Sequence, residues 1–198
     1  MEHNEALATD PFRLSGQFVE SWLHMLEYWD KSAADHSRRV ARVAVQLARK
    51  RGWRDRELAA LEWGAMLHDV GKICIPPNIL LRDGPLTEQE WTIVKRHPIF
   101  GYEILKTVAT MELSAGVVLC HHENWDGSGY PRNLKGEEIP PGARIVAVAE
   151  VWDALTSNPA DRAMWPKQRV VSYVSDHAGR KFDPSAVSAF LEIIDILS

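Results

Sequence analysis

The sequence predicts an all-α helical bundle of about seven or eight helices, and three observations lead there. Apolar residues recur at spacings of three and four through most long windows, the signature of helices with one buried face. No window shows sustained strand-type alternation. Glycine and proline cluster between the periodic windows rather than inside them. The 198 residues suit one core-bearing domain, with 45% apolar and 25% charged residues in ordinary soluble proportions. Residues 1–32 read as an N-terminal arm and helix, and 33–198 as the domain proper.

Residues 1 to about 15 read as a loose arm. The first helix runs over 15–30, where Phe18, Trp22, Met25, Leu26 and Trp29 fall on one face. Residues 33–52 repeat the pattern through Val40, Val43, Ala44 and Leu47, with Gly52 as a C-terminal cap. A third helix enters through Asp55 and is closed by Gly71. The stretch 73–86 holds a double proline and a DG turn and reads as a loop. Thr87 and Glu90 then stand at capping-box spacing, and that helix should break at the His97-Pro98 step. Two short helices follow over 99–108 and 111–123. Residues 124–142 form the longest irregular segment, with a small β-hairpin expected near 133–139. Residues 143–157 are apolar almost all round, which marks a buried helix. After a loop at 158–166, helices over 167–179 and 184–197 close the core.

Net charge is −4 and the pI near 6.1, which argues against a duplex-nucleic-acid surface. A small anionic substrate needs only a few local cations. The N-terminus carries no secretory pattern and no apolar run reaches membrane length, so a cytoplasmic setting is expected. Cys74 and Cys120 show no paired spacing and read as small buried hydrophobes in a reducing compartment.

Chemistry concentrates in the histidines. Of eight, His3, His24 and His177 sit in polar or terminal settings. His36, His68, His97, His121 and His122 each lie where an apolar helix meets a break. His68 and Asp69 are adjacent, and neighbouring residues on a helix point about 100° apart, so the pair is no ordinary polar face. Glu150 and Asp153 share a face of the apolar helix 143–157, an arrangement that cations or hydrogen bonds must offset. A single histidine at a helix end is usually a satisfied core residue. The whole set, spread over separate helices, is hard to explain as packing. Imidazole with carboxylate suits divalent transition metals. Five histidines exceed what one tetrahedral ion takes, so two ions bridged by Asp69 use the set better.

The motifs HSRRVA (36–41), LHDVGK (67–72), HP (97–98), HHENWDGSGYP (121–131), IPPGARIVAVAEVWDALTS (139–157) and FDPSAV (182–187) occur in that order. From about Asp35 onward the chain thereby resembles the HD superfamily of metal-dependent phosphohydrolases, and within it the HD-GYP family. The resemblance implies a helical bundle and hydrolysis of cyclic di-GMP to pGpG or GMP. It implies His36, His68, Asp69, His97, His121, His122 and Glu150 as ligands of two divalent ions, with Fe or Mn foremost and Ni, Co or Zn as alternatives. Asp69 and Lys72 are the implied catalytic pair, the lysine neutralising charge that builds on the phosphate. Lys72, Tyr130 and Arg162 are expected on the substrate. Asp126, Gly127, Gly129, Pro131 and Asp153 are expected to shape the loop or orient a ligand.

Three departures from the family pattern stand out. Glu150 replaces the usual aspartate. Ser32 occupies the position of a glutamate that holds a third ion in some members, so two ions are expected. The segment after Ser157 reads NPADRAM and keeps one arginine, Arg162, where the family commonly has more. The last departure favours an alternative: a weakly active signalling module that binds a cyclic dinucleotide, or a diguanylate cyclase, through the GYP loop. A further alternative is hydrolysis of another nucleotide such as pGpG. The aromatic stripe of the first helix suits core packing, with a homodimer contact as its second reading.

Overall fold

The computed structural model describes residues 11–82, 84–157 and 164–197. Ten α-helices lie among them: α1 (Pro11–Trp29), α2 (Lys31–Lys50), α3 (Asp55–Met66), the single turn α4 (Pro77–Leu80), α5 (Glu88–Val94), α6 (His97–Leu105), α7 (Glu112–Cys120), α8 (Pro141–Thr156), α9 (Lys167–Asp176) and α10 (Pro184–Ile193). The expected all-α bundle is present. The expected hairpin is not: residues 136–138 form a 3₁₀ turn in which Lys135 N donates to Glu138 Oε2 at 2.9 Å. The segment has no second strand to pair with, and the described residues hold no β-sheet beyond one isolated bridge, Ala178 to Phe182.

Helix α2 is the hub, packing against α1, α3, α8 and α10. Asp30 caps its start by accepting from Ala33 N at 3.0 Å, and Gly52 follows its end at φ +82°. One apolar cluster joins Val40, Ala44 and Leu47 of α2 to Ile145 and Trp152 of α8, Val170 and Val174 of α9, and Phe182 and Phe190. The other joins Val19, Leu23 and Leu26 of α1 to Trp63, Leu67, Val70, Leu105, Met111 and Val118. Helix α1 starts at Pro11, earlier than the loose arm expected to residue 15, because Phe12 finds a partner in Trp63 at a 4.5 Å ring separation. The capping box of α5 forms as the Thr87/Glu90 spacing requires.

Gly71 does not cap α3. That helix stops at Met66, and Gly71 lies inside a 3₁₀ turn, Val70–Cys74, pressed against α6. A Cβ on Gly71 would stand 2.0 Å from His97 O and 2.5 Å from Gly101 N. Backbone therefore touches backbone here, and this contact carries His97 up to the turn that holds His68 and Asp69. Cys120 is buried as expected, whereas Cys74 is exposed, since the 3₁₀ turn that places Val70 and Gly71 inside rolls position 74 outward.

Candidate metal centre

Three histidines reach the centre by one local device. His68 follows the end of α3, His97 follows α5, and His121 follows α7. Each directs Nδ1 at the carbonyl three residues earlier: Ala65 O at 2.7 Å, Val94 O at 2.8 Å and Val118 O at 2.8 Å. These carbonyls belong to the last helical turn, which lacks intrahelical donors. A carbonyl only accepts, so each Nδ1 carries its proton and each Nε2 is the free end. His36, in α2, is turned the same way by Asp153, whose Oδ2 accepts from Nδ1 at 2.7 Å. Arg39 forks the same carboxylate at 2.7 and 3.0 Å, and Ser157 Oγ donates to it at 2.9 Å. Burial opposes the charge on Asp153, but its bonds from His36 and Arg39 hold the pKa down at about 2.

The Nε2 atoms converge. His97 Nε2 lies 3.3 Å from His121 Nε2 and 3.3 Å from Asp69 Oδ1. Burial pushes His97 down to about 4, and burial with the neighbouring imidazoles holds His121 well below the usual histidine range. Both rings are thus neutral near pH 7, with two lone pairs facing each other. A cation between them turns that repulsion into ligation. His68 Nε2 is fully buried and has no hydrogen-bond partner. Burial disfavours a charged His68, yet the Asp69 carboxylate outweighs it and raises its pKa, so positive charge is welcome at that ring. The residues fit a metal on these grounds.

Two sets of ligand atoms come within 4.8 Å of one another: Asp69 with His97, His121 and His122, and Asp69 with His36 and His68. Asp69 belongs to both. Burial works against its charge, but Lys72 and His68 hold its pKa well below the usual range. Lys72 Nζ stands 2.5 Å from Asp69 Oδ2. Glu150 lines the same cleft but lies outside both sets, with Oε2 4.0 Å from His122 Nδ1. The cleft measures about 870 Å³, with His36, Asp69, Lys72, Glu150 and Asp153 on its walls.

The loop after His122 closes beside the centre. Tyr130 lies against the His122 ring at 4.8 Å, with Lys95 Nζ 5.5 Å from its own ring centre, and the Tyr130–Pro131 peptide is cis. Asp126 Oδ1 accepts from Ser128 N at 2.9 Å, and Gly127 sits at φ +87°. A Cβ on Gly129 would meet Asn124 N at 2.3 Å, so glycine here lets the loop pack against its own backbone. Arg162 lies outside the described residues.

Two contributors escaped the sequence reading. Glu123, 3% exposed, accepts from Arg132 N at 2.6 Å and Leu134 N at 3.1 Å and so pins the loop from inside. Arg39 is the other. Its position three after His36 on a helix was the available signal.

A model of the HD domain matches residues 23–186. The chain is 43% identical over 168 residues to the cyclic di-GMP phosphodiesterase response regulator RpfG of Xanthomonas campestris pv. campestris, covering 84% of this chain and 44% of that protein. It is 35% identical to 3'3'-cGAMP-specific phosphodiesterase 2 of Vibrio cholerae, covering 96% of this chain and 37% of that one. The chain thus spans less than half the length of these two relatives. Among solved structures it is similar to Bd1817, a HDG"Y"P protein from Bdellovibrio bacteriovorus, with a TM-score of 0.66 and 25% identity over 84% of this chain and 53% of that one. The domain match, the helical frame and the HHE…DGSGYP segment seated beside a His/Asp cluster lead to one assignment: the chain belongs to the HD-domain family, in its HD-GYP branch.

Proposed function

We propose that this chain is a metal-dependent phosphodiesterase that hydrolyses cyclic di-GMP, releasing pGpG or GMP, in bacterial second-messenger signalling. The carrying observation is Asp69 shared between two sets of imidazoles whose free nitrogens converge. His36, His68, Asp69, His97, His121 and His122 would hold two divalent ions, Fe or Mn foremost, with Glu150 at the rim. Ions bound there supply Lewis acidity and a water of lowered pKa. The chain's own groups do the rest. Lys72, beside the shared carboxylate, offers positive charge where the phosphate gains negative charge. Asp153 keeps His36 turned toward the cleft, and Tyr130 offers a ring face for a base. Arg162 would supply a second cation on the substrate. The relatives named for cyclic di-GMP and for 3'3'-cGAMP support a cyclic dinucleotide as the substrate class. No helix among the described residues is long and apolar enough to cross a membrane, in keeping with a cytoplasmic setting. The GYP loop is the surface proposed for a diguanylate cyclase partner, and the exposed Tyr28 and Met25 of α1 for a homodimer.

A second reading, a binding module with little turnover, draws on Glu150 standing outside both ligand sets. One experiment separates the two. Protein loaded anaerobically with Fe(II) or Mn(II) is assayed for metal content and for cleavage of cyclic di-GMP. About two ions per chain with pGpG or GMP appearing, both lost in Asp69→Ala, supports the enzyme. Two ions without product supports the binding module.

A further inference from the structure

A second cavity, of about 560 Å³, adjoins the metal cleft, and Arg39, Asp153 and Ser157 line both. One wall comes from α2, where Arg39, Arg42 and Gln46 follow at steps of three and four and so share a face. The facing wall carries Trp152 and Trp165, with Lys167 at the edge. Among the described residues its charge is one-sided. The carboxylate on the wall, Asp153, is fully engaged by His36, Arg39 and Ser157. Asp195, exposed, reaches Lys167 at 3.4 Å. Arg39 spends Nε and Nη2 on Asp153, and its Nη1 has no partner among the described residues.

Two groups here have no partner among the described residues. Arg42 makes no ion pair or hydrogen bond with the described residues. Gln46 Oε1 is buried and accepts nothing. An unpaired arginine on a helix is ordinarily just solvated. A buried amide oxygen without a donor is not ordinary, because such groups are nearly always satisfied. The amide's terminal torsion is broad, so it can turn this oxygen toward a donor in the cavity.

We propose that this cavity is a second binding site, separate from the metal cleft, for a nucleoside monophosphate. The phosphate lies on Arg39 Nη1, Arg42 and Lys167, which supply the fork geometry and charge that phosphate selects. The base lies beside the exposed parts of Trp152 and Trp165, the second of which already carries Arg169 at 3.7 Å over one face, with an N–H of its edge donated to Gln46 Oε1. A bare anion would leave most of the space unused, whereas the volume falls in the usual range for small-molecule sites. The assignment does not depend on the reaction proposed above, since it uses neither the imidazoles nor Lys72.

GMP is the probe, titrated by calorimetry into the full chain carrying Asp69→Ala, which dismantles the metal centre, and into the unsubstituted chain in EDTA. Both should bind one GMP with the same affinity. Adding Arg42→Glu, an exposed position whose change leaves the core untouched, should weaken GMP about tenfold or more. Gln46→Leu should weaken GMP but not inorganic phosphate, and guanosine or phosphate alone should bind less tightly than GMP. Absence of binding at about 1 mM overturns the proposal, since that affinity is the floor for a specific site. So does binding to the metal-loaded chain that vanishes in both metal-free proteins, or GMP affinity that Arg42→Glu changes by less than that factor. Phosphate matching GMP would reduce the cavity to an anion hole and overturn the nucleotide assignment.

Discussion

Gly71→Ala tests how the centre is held together. The added Cβ would stand 2.0 Å from His97 O, where ordinary contact begins at 3.4 Å, so a gap of about 1.4 Å must open. The obstacle is main chain on both sides, His97 O and Gly101 N, and no rotamer change relieves it. The turn and α6 must separate, and His97 Nε2, now 3.3 Å from Asp69 Oδ1, is carried beyond ligand reach of the shared carboxylate. Overpacking of this kind costs about 1–3 kcal/mol, and a backbone obstacle puts the change at the upper end. About 3 kcal/mol in a domain of this size lowers Tm by about 6–12 °C. Calorimetry of the metal-free protein measures the packing cost alone, and metal analysis after Mn(II) loading measures the centre. Wild-type Tm together with wild-type metal content in Gly71→Ala would refute the account of how His97 meets Asp69.

Asp153→Asn preserves shape but weakens the grip of Arg39 and disturbs the turn of His36. Loss of such an outer carboxylate reduces metal affinity about 10–100-fold, and chelator competition should find one of two ions weakened, the other unchanged. Glu123→Ala removes the acceptor of two loop N–H groups, a loss of about 2–4 kcal/mol. Hydrogen exchange should rise across 126–136 with little change in α2 or α8. Asp183 caps α10 through Ser185 N at 2.8 Å and meets Arg144 Nη1 at 3.1 Å. Burial raises its pKa, but the Ser185 and Arg144 bonds win and the folded value is lowered. A depressed carboxylate contributes stability that is present above its unfolded value, about 3.9, and lost as pH falls through the folded value. Denaturant melts of Asp183→Asn should be weaker than wild type at pH 7, with the difference shrinking below about pH 4.

Helix periods, the capping box at Thr87 and the Gly52 cap were legible because each is a short-range pattern. Four of the histidines were legible for a related reason: His68, His97, His121 and His122 stand just past the end of a preceding helix, and a helix end is visible in sequence. His36 lies in the second turn of α2 and was legible only as part of the set. Glu123 was not. A carboxylate that binds backbone N–H groups nine and eleven residues on has no spacing that marks it. Gly71 read as a helix stop because glycine's freedom is apparent in sequence, while the chain it must admit, His97 to Gly101, lies far along. The hairpin near 133–139 was a turn signal read without asking where a pairing strand would come from. Cys74 and Cys120 look alike as residues, and only the 3₁₀ turn after Asp69 tells them apart.

Three helices end at one place, each giving up a terminal carbonyl to an imidazole. Helix C-termini carry partial negative charge, and α3, α5 and α7 bring theirs together beside Asp69. Held without a cation, such a gathering strains against itself; with one, it becomes a bond between helices far apart in sequence. A ligand that binds the native state alone raises native stability in proportion to the logarithm of its concentration. Metal supply in the cell would then govern, beside the rate of the proposed reaction, how many molecules escape the proteases that clear unfolded chains.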